Sequence, residues 1–170
     1  MTPSVFSLPP SSPRIETART FLAAFADLST SQHLSVRSDD CIQIFAPSSL
    51  NPPAPKDNAT FASHLAGLRD VMSGFPVTAK EMIDSEFQNA VTIWATSEAQ
   101  FHDKLKDDGL SADEWNYRGE YVFMLTMDET GRRITRIVEF LDSKATERLR
   151  GLMARARDNL EKLLSQDARS

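Results

Sequence analysis

The period of the hydrophobic pattern changes along this chain, and the change falls at Pro76. Before it, apolar residues recur every three or four positions, as on the buried stripe of an amphipathic helix. Ile15, Ala18, Phe21, Leu22, Phe25 and Leu28 form one such run, and Phe61, Leu65, Leu68 and Met72 another. From Val77 onward the period is two. Val77 to Asp84, Asn89 to Phe101, Glu114 to Met127 and Ile134 to Leu141 read as four consecutive strands. A final helical run follows from Leu149 to Leu163, with Ser143 placed to cap it. Helices segregated from consecutive strands exclude a parallel α/β sheet. They predict an α+β fold: an antiparallel sheet packed against three N-terminal helices, with an additional C-terminal helix.

Finer marks complete the outline. Pro13 suits a helix start, and a short second helix is expected around Ser31 to Val36. Cys41 to Phe45 alternates as an early strand before a proline-rich loop at Pro47, Pro52, Pro53 and Pro55. Asp57 or Asn58 can cap the third helix, which Gly74 and Pro76 end. Asp128 to Gly131 forms a hairpin turn with Gly131 at positive φ, and His102 to Asp113 reads as a charged, mobile connection. The expected organisation is a flexible tail over residues 1–14, a pocket domain over 15–142, and a helix and tail over 143–170.

Composition narrows the function. A net charge of −5 with scattered basic residues argues against a nucleic-acid partner. Cys41 is the only cysteine, and no apolar run approaches the ~20 residues that span a bilayer. A cytoplasmic protein with no membrane partner is expected. The three histidines share no metal-ligand spacing, and no glycine-rich phosphate loop or nucleophile elbow is present. Neither metal nor cofactor is expected. Acid–base chemistry on a small-molecule substrate, or plain binding, remains.

Strand parity supplies the candidates. Tyr117, Gly119, Tyr121, Phe123 and Leu125 share one face, which places the only two tyrosines four residues apart on it. They can be core aromatics, or two phenols serving one oxyanion. Glu139 lies between Val138 and Phe140, where an ionised carboxylate is costly without a partner. It reads either as an ion-paired residue at the sheet edge or as a general acid or base. Both faces of the sheet carry apolar residues while helices are available for one, so a homodimer is expected to cover the other.

Four segments carry a family resemblance. They are Tyr117 to Ser143, Arg37-Ser-Asp-Asp-Cys-Ile-Gln-Ile-Phe-Ala-Pro-Ser-Ser-Leu50, Phe75-Pro-Val-Thr and Val91-Thr-Ile-Trp-Ala-Thr-Ser97. Together these resemble fungal SnoaL-like proteins of the nuclear transport factor 2-like superfamily, over about residues 15–160. The resemblance implies a cone-shaped barrel with a deep pocket, commonly dimeric, working without a cofactor. It implies isomerase or cyclase activity on polycyclic terpenoid, polyketide-hybrid or alkaloid intermediates. The implied catalytic residues are Arg37, Tyr117, Tyr121 and Glu139. Gln43, where many relatives have histidine, joins Phe123 and Trp94 as expected substrate-binding positions. A dehydratase of the scytalone dehydratase type and a non-catalytic binder are the alternatives.

Overall fold

The computed structural model describes residues 11–169. Helix α1 (Pro13–Ala23) starts where Ser12 accepts a hydrogen bond from the Ile15 amide, and it buries Ala18, Phe21 and Leu22. The helical spacing runs on to Leu28, but the helix stops earlier. The chain turns there, and the Phe25 carbonyl accepts the amide of Phe75 (3.0 Å). Phe25 and Leu28 are still buried, so the apolar period outlives the helix that it suggested. The first ten residues of the expected tail lie outside the described residues. Its last ones are engaged: Arg14 Nε donates to Asp84 Oδ1 at 2.6 Å.

Helix α2 (Thr30–Ser35) leads into strand β1 (Arg37–Ala46), which begins four residues before the expected alternation. Asp57 caps α3 (Asn58–Arg69) by accepting from the Thr60 amide. Met72, expected on that helix, instead opens a short strand, β2 (Met72–Gly74), opposite Phe101. Strands β3 (Val77–Ser85) and β4 (Ala90–Phe101) form a long hairpin.

The segment after β4 is held in place. Leu105 is fully buried, and Asp107 accepts from Arg155 Nε at 2.8 Å and Asn159 Nδ2 at 2.6 Å. Ser111 and Glu114 then cap each other's backbone amides in a reciprocal box, which makes α4 (Ala112–Trp115) helical where a strand start was expected. Strands β5 (Tyr117–Met127) and β6 (Ile134–Leu141) flank the turn in which Gly131 takes φ +69°. Helix α5 (Ser143–Asp167) is capped by Asp142, one residue before the expected cap.

Among the described residues, six strands form one sheet in the order β1-β6-β5-β4-β2, with β3 also on β4. All pairings are antiparallel except β1 with β6, which is parallel and so departs from the expected pattern. Helices α1, α3 and α5 lie over the concave face. One core cluster joins α1 to the middle of the sheet, and a second joins α3 and α5 to the ends of β4 and β5. The convex face keeps Trp94, Met124 and Phe140 about 40–46% exposed. No described helix is long and apolar enough to cross a membrane.

Candidate active site

A cavity of about 160 Å³ opens between the concave face, α3 and α5. Its apolar walls include Phe45, Leu65, Leu68 and Met153, and its polar floor is Gln43, Tyr121 and Glu139. Three of the seven residues expected at a site therefore meet in one space.

Glu139 sits on β6 opposite Phe123, only 8% exposed. Gln43 Nε2 donates to its Oε2 at 2.7 Å, and no cation among the described residues lies within ion-pair distance. The edge ion pair that the sequence left open is not formed. Desolvation pushes the carboxyl up to about 7, against a smaller lowering by Gln43.

Gln43 is fully buried, and its backbone amide and carbonyl both bond to Lys56 (2.9 Å each). Its side-chain carbonyl accepts from Arg37 Nη1 at 2.8 Å. Arginine has no acceptor, so this contact fixes the amide's orientation and turns the NH₂ toward Glu139. Arg37 is 1% exposed and lies behind Gln43, outside the cavity lining. Its Nε donates to Asn58 Oδ1 at 2.7 Å, and its guanidinium stacks 4.4 Å above the Phe61 ring. Burial pulls its pKa down, and Nη2 finds no partner. An irregularity in β1 between Arg37 and Ile42 breaks strict alternation, which turns Asp39 and Asp40 to solvent while Arg37 and Gln43 face inward.

Tyr121 reaches the cavity with its hydroxyl 2.5 Å from that of Tyr117. Tyr117 stands behind it, 1% exposed, with its ring against Phe75. Burial raises both phenol pKa values, Tyr121 more, so both stay protonated donors. Ser97, paired with Gly119 across β4 and β5, brings a buried hydroxyl beside the two phenols. Gly119 makes the arrangement possible, because a Cβ there would overlap the Tyr117 hydroxyl and lie 3.2 Å from that of Tyr121.

The other two expected positions fall elsewhere. Phe123 lies beneath Tyr121 in the core, 5.3 Å from Phe21 between ring centroids, and does not line the cavity. Trp94 is on the convex face, donating to Glu120 at 3.1 Å beneath the Lys80 ammonium. Apolar residues on both faces of β4 hid which one looks inward.

Sequence reading missed Asn58 as the partner of Arg37, and Arg150, which lines the cavity from α5. The signal for Arg150 was its spacing beside Thr146, Leu149 and Met153. His64 also lines the cavity, with its pKa pushed down to about 4 by burial and then by Lys56 and Arg157.

No protein-family model matches the chain. A protein from Aspergillus novofumigatus named monooxygenase nsrS is 27% identical over 75% of this chain and 79% of its own length. Austinoid biosynthesis cluster protein H of Aspergillus calidoustus is 28% identical over 76% of this chain and 82% of its own. AusH from Aspergillus nidulans superposes with a TM-score of 0.65 at 25% identity, covering 79% of this chain and 88% of that one. The BvnE pinacolase of Penicillium brevicompactum gives 0.72 at 24% identity, covering 85% and 96%. An NTF2-like protein of Burkholderia pseudomallei gives 0.63 at 13%, covering 82% and 98%. The fold is nuclear transport factor 2-like. Within that fold the neighbours include the fungal SnoaL-like proteins that the strand motifs resemble. The sheet places Tyr121 and Glu139 on neighbouring strands facing one space.

Proposed function

We propose that this chain is a cofactor-independent isomerase or cyclase acting by acid–base catalysis on a polycyclic fungal natural-product intermediate in the cytosol. The observation that carries the reading is Glu139, a carboxyl facing an apolar cavity with a pKa near neutrality and a phenol pair beside it. Near pH 7 both of its protonation states are populated, so it can take a proton from one atom of the substrate and return it to another. Tyr121, with Tyr117 bonded behind it, donates to the oxygen on which charge develops. Proton transfer of this kind contributes roughly 10²–10⁴-fold, and fixing one reactive conformer contributes further. The names of the relatives support this direction: one is an austinoid cluster protein and one a pinacolase. A polycyclic substrate needs roughly 300–1,000 Å³, so this reading requires the cavity of about 160 Å³ to widen on binding. A second copy covering the convex face completes the reading as a homodimer.

The name of nsrS favours a second reading, oxygenation of a substrate CH₂ in the same cavity, in which O₂ leaves one atom on that carbon as a carbonyl and takes its two hydrogens away as water. Deleting the gene in the producing fungus and feeding the accumulated intermediate to purified protein in D₂O separates the two. An isomerase returns an isomer of the intermediate without oxygen uptake, with deuterium incorporated to the extent that the Glu139 proton exchanges with solvent between the two transfers. A gain of one oxygen atom with oxygen uptake supports oxygenation, loss of water a dehydratase, and binding without conversion a receptor. Full turnover by Glu139→Gln and Tyr121→Phe would sink the acid–base assignment.

A further inference from the structure

The cavity has polar groups at two levels. Its floor holds Gln43, Tyr121 and Glu139; its mouth holds Arg150 and His64, with Phe45, Leu68 and Met153 between. Arg150 is exposed and anchored through Nη1 to the Leu50 carbonyl at 2.8 Å. Lys56 is placed beside Gln43 by their paired backbone bonds, and Lys56 and Arg157 are the charges that act on His64. None of Arg150, Lys56 and Arg157 has a carboxylate within ion-pair distance among the described residues. Nearby acids are engaged or turned away. Asp57 caps α3 through Thr60, and Glu147, Asp158 and Glu161 on α5 are exposed and bridge none of the three. Arg150 is the one Lys or Arg side chain lining this cavity, and among the described residues it meets no carboxylate over the apolar throat.

We infer that the ligand carries an anionic group, a carboxylate in the first instance, held at the mouth by Arg150, while its apolar body enters toward Glu139. The inference rests on the reading of this cavity as the substrate site, and it names the substrate's class. Guanidinium is suited to carboxylate, for which it can offer two parallel donors. An acid at the mouth also keeps its charge away from Glu139, whose neutral form a nearby anion would otherwise over-stabilise. His64, kept neutral by its surroundings, supplies contact area there without a charge of its own.

Two fluorescent probes test this: anilinonaphthalene sulfonate, and N-phenylnaphthylamine, the same rings without the sulfonate. The anionic probe is expected to bind at least tenfold more tightly, with a preference that shrinks as salt rises. Arg150→Gln should weaken the anionic probe at least fivefold and leave the neutral one unchanged, while Arg150→Lys keeps most of the preference. Arg132→Gln, on a remote turn, should change neither, and Leu68→Trp, which fills the throat, should abolish both. Equal binding of the two probes, or an Arg150→Gln variant that retains the preference, overturns the anionic ligand and leaves the cavity reading standing. Binding that ignores Leu68→Trp, or no binding of either probe, overturns the cavity reading as well.

Discussion

Glu139 and His33 are both buried, both titratable and opposite in sign, and together they shape how stability depends on pH. The folded-state pKa of Glu139 is raised from 4.5 to about 7. Its stabilising neutral form is fully present below the unfolded value and is lost as pH rises through 7. Glu139→Gln should therefore raise stability at pH 8 by up to about 3 kcal/mol and change it little at pH 4. Urea titrations at the two pH values check this. Equal effects at both would mean that the carboxyl titrates normally.

His33 is fully buried among Phe21, Phe25 and Phe61, with neither ring nitrogen partnered. Burial, then Arg37, lowers its pKa from 6.5 to about 3. Its contribution is complete above 6.5 and is lost as pH falls toward 3, on the order of 4 kcal/mol at the limit. His33→Phe should flatten the acid limb of stability between pH 6 and 4, read from thermal midpoints. An unchanged slope would place the acid sensitivity elsewhere. Sequence alone showed Glu139 as an ill-placed carboxylate because its neighbours Val138 and Phe140 are apolar. It could not show Gln43 bonded to it, since that contact joins two parallel strands 96 residues apart.

At the level of the element, β5 owes its site to a residue without a side chain. Two tyrosines at i and i+4 on one strand face usually stand apart; here both hydroxyls converge above Gly119. Gly119→Ala should destabilise the fold by about 1–3 kcal/mol, as overpacking does, because the Tyr117 ring is rigid and buried. Adding Tyr117→Phe removes the atom that is struck and should recover part of the loss. A double-mutant cycle in urea measures that coupling, and strict additivity would count against the overlap. Parity placed the tyrosines and Gly119 on one face but could not show a hydroxyl folded back over the glycine. The connection after β4 was misread for a related reason. Its charges look solvated in sequence, yet Asp107 finds Arg155 and Asn159 only once α5 is docked.

On the scale of the whole molecule, the change of period at Pro76 carried the α+β architecture, and the motifs on either side carried the family resemblance. What it lacked was the side on which the sheet curls. Trp94, Val122 and Phe140 are paired across β4, β5 and β6 on the convex face, an apolar row that sequence could as easily have assigned to the cavity. That row gives the proposed homodimer its prediction. Sedimentation should return about twice the 19.0 kDa chain mass. Phe140→Asp should return a monomer that still binds the neutral probe. A wild-type chain that sediments as a monomer at micromolar concentration removes the dimer from the proposal.

The fixed amide of Gln43 has one more consequence, and it is stereochemical. With its carbonyl held by Arg37, Gln43 occupies Glu139 Oε2 from one side and leaves Oε1 open to the cavity. In the proposed reaction, a proton exchanged there would reach the substrate carbon from a single direction. Such a step gives one configuration at that carbon, on the face that the cavity walls turn toward Oε1.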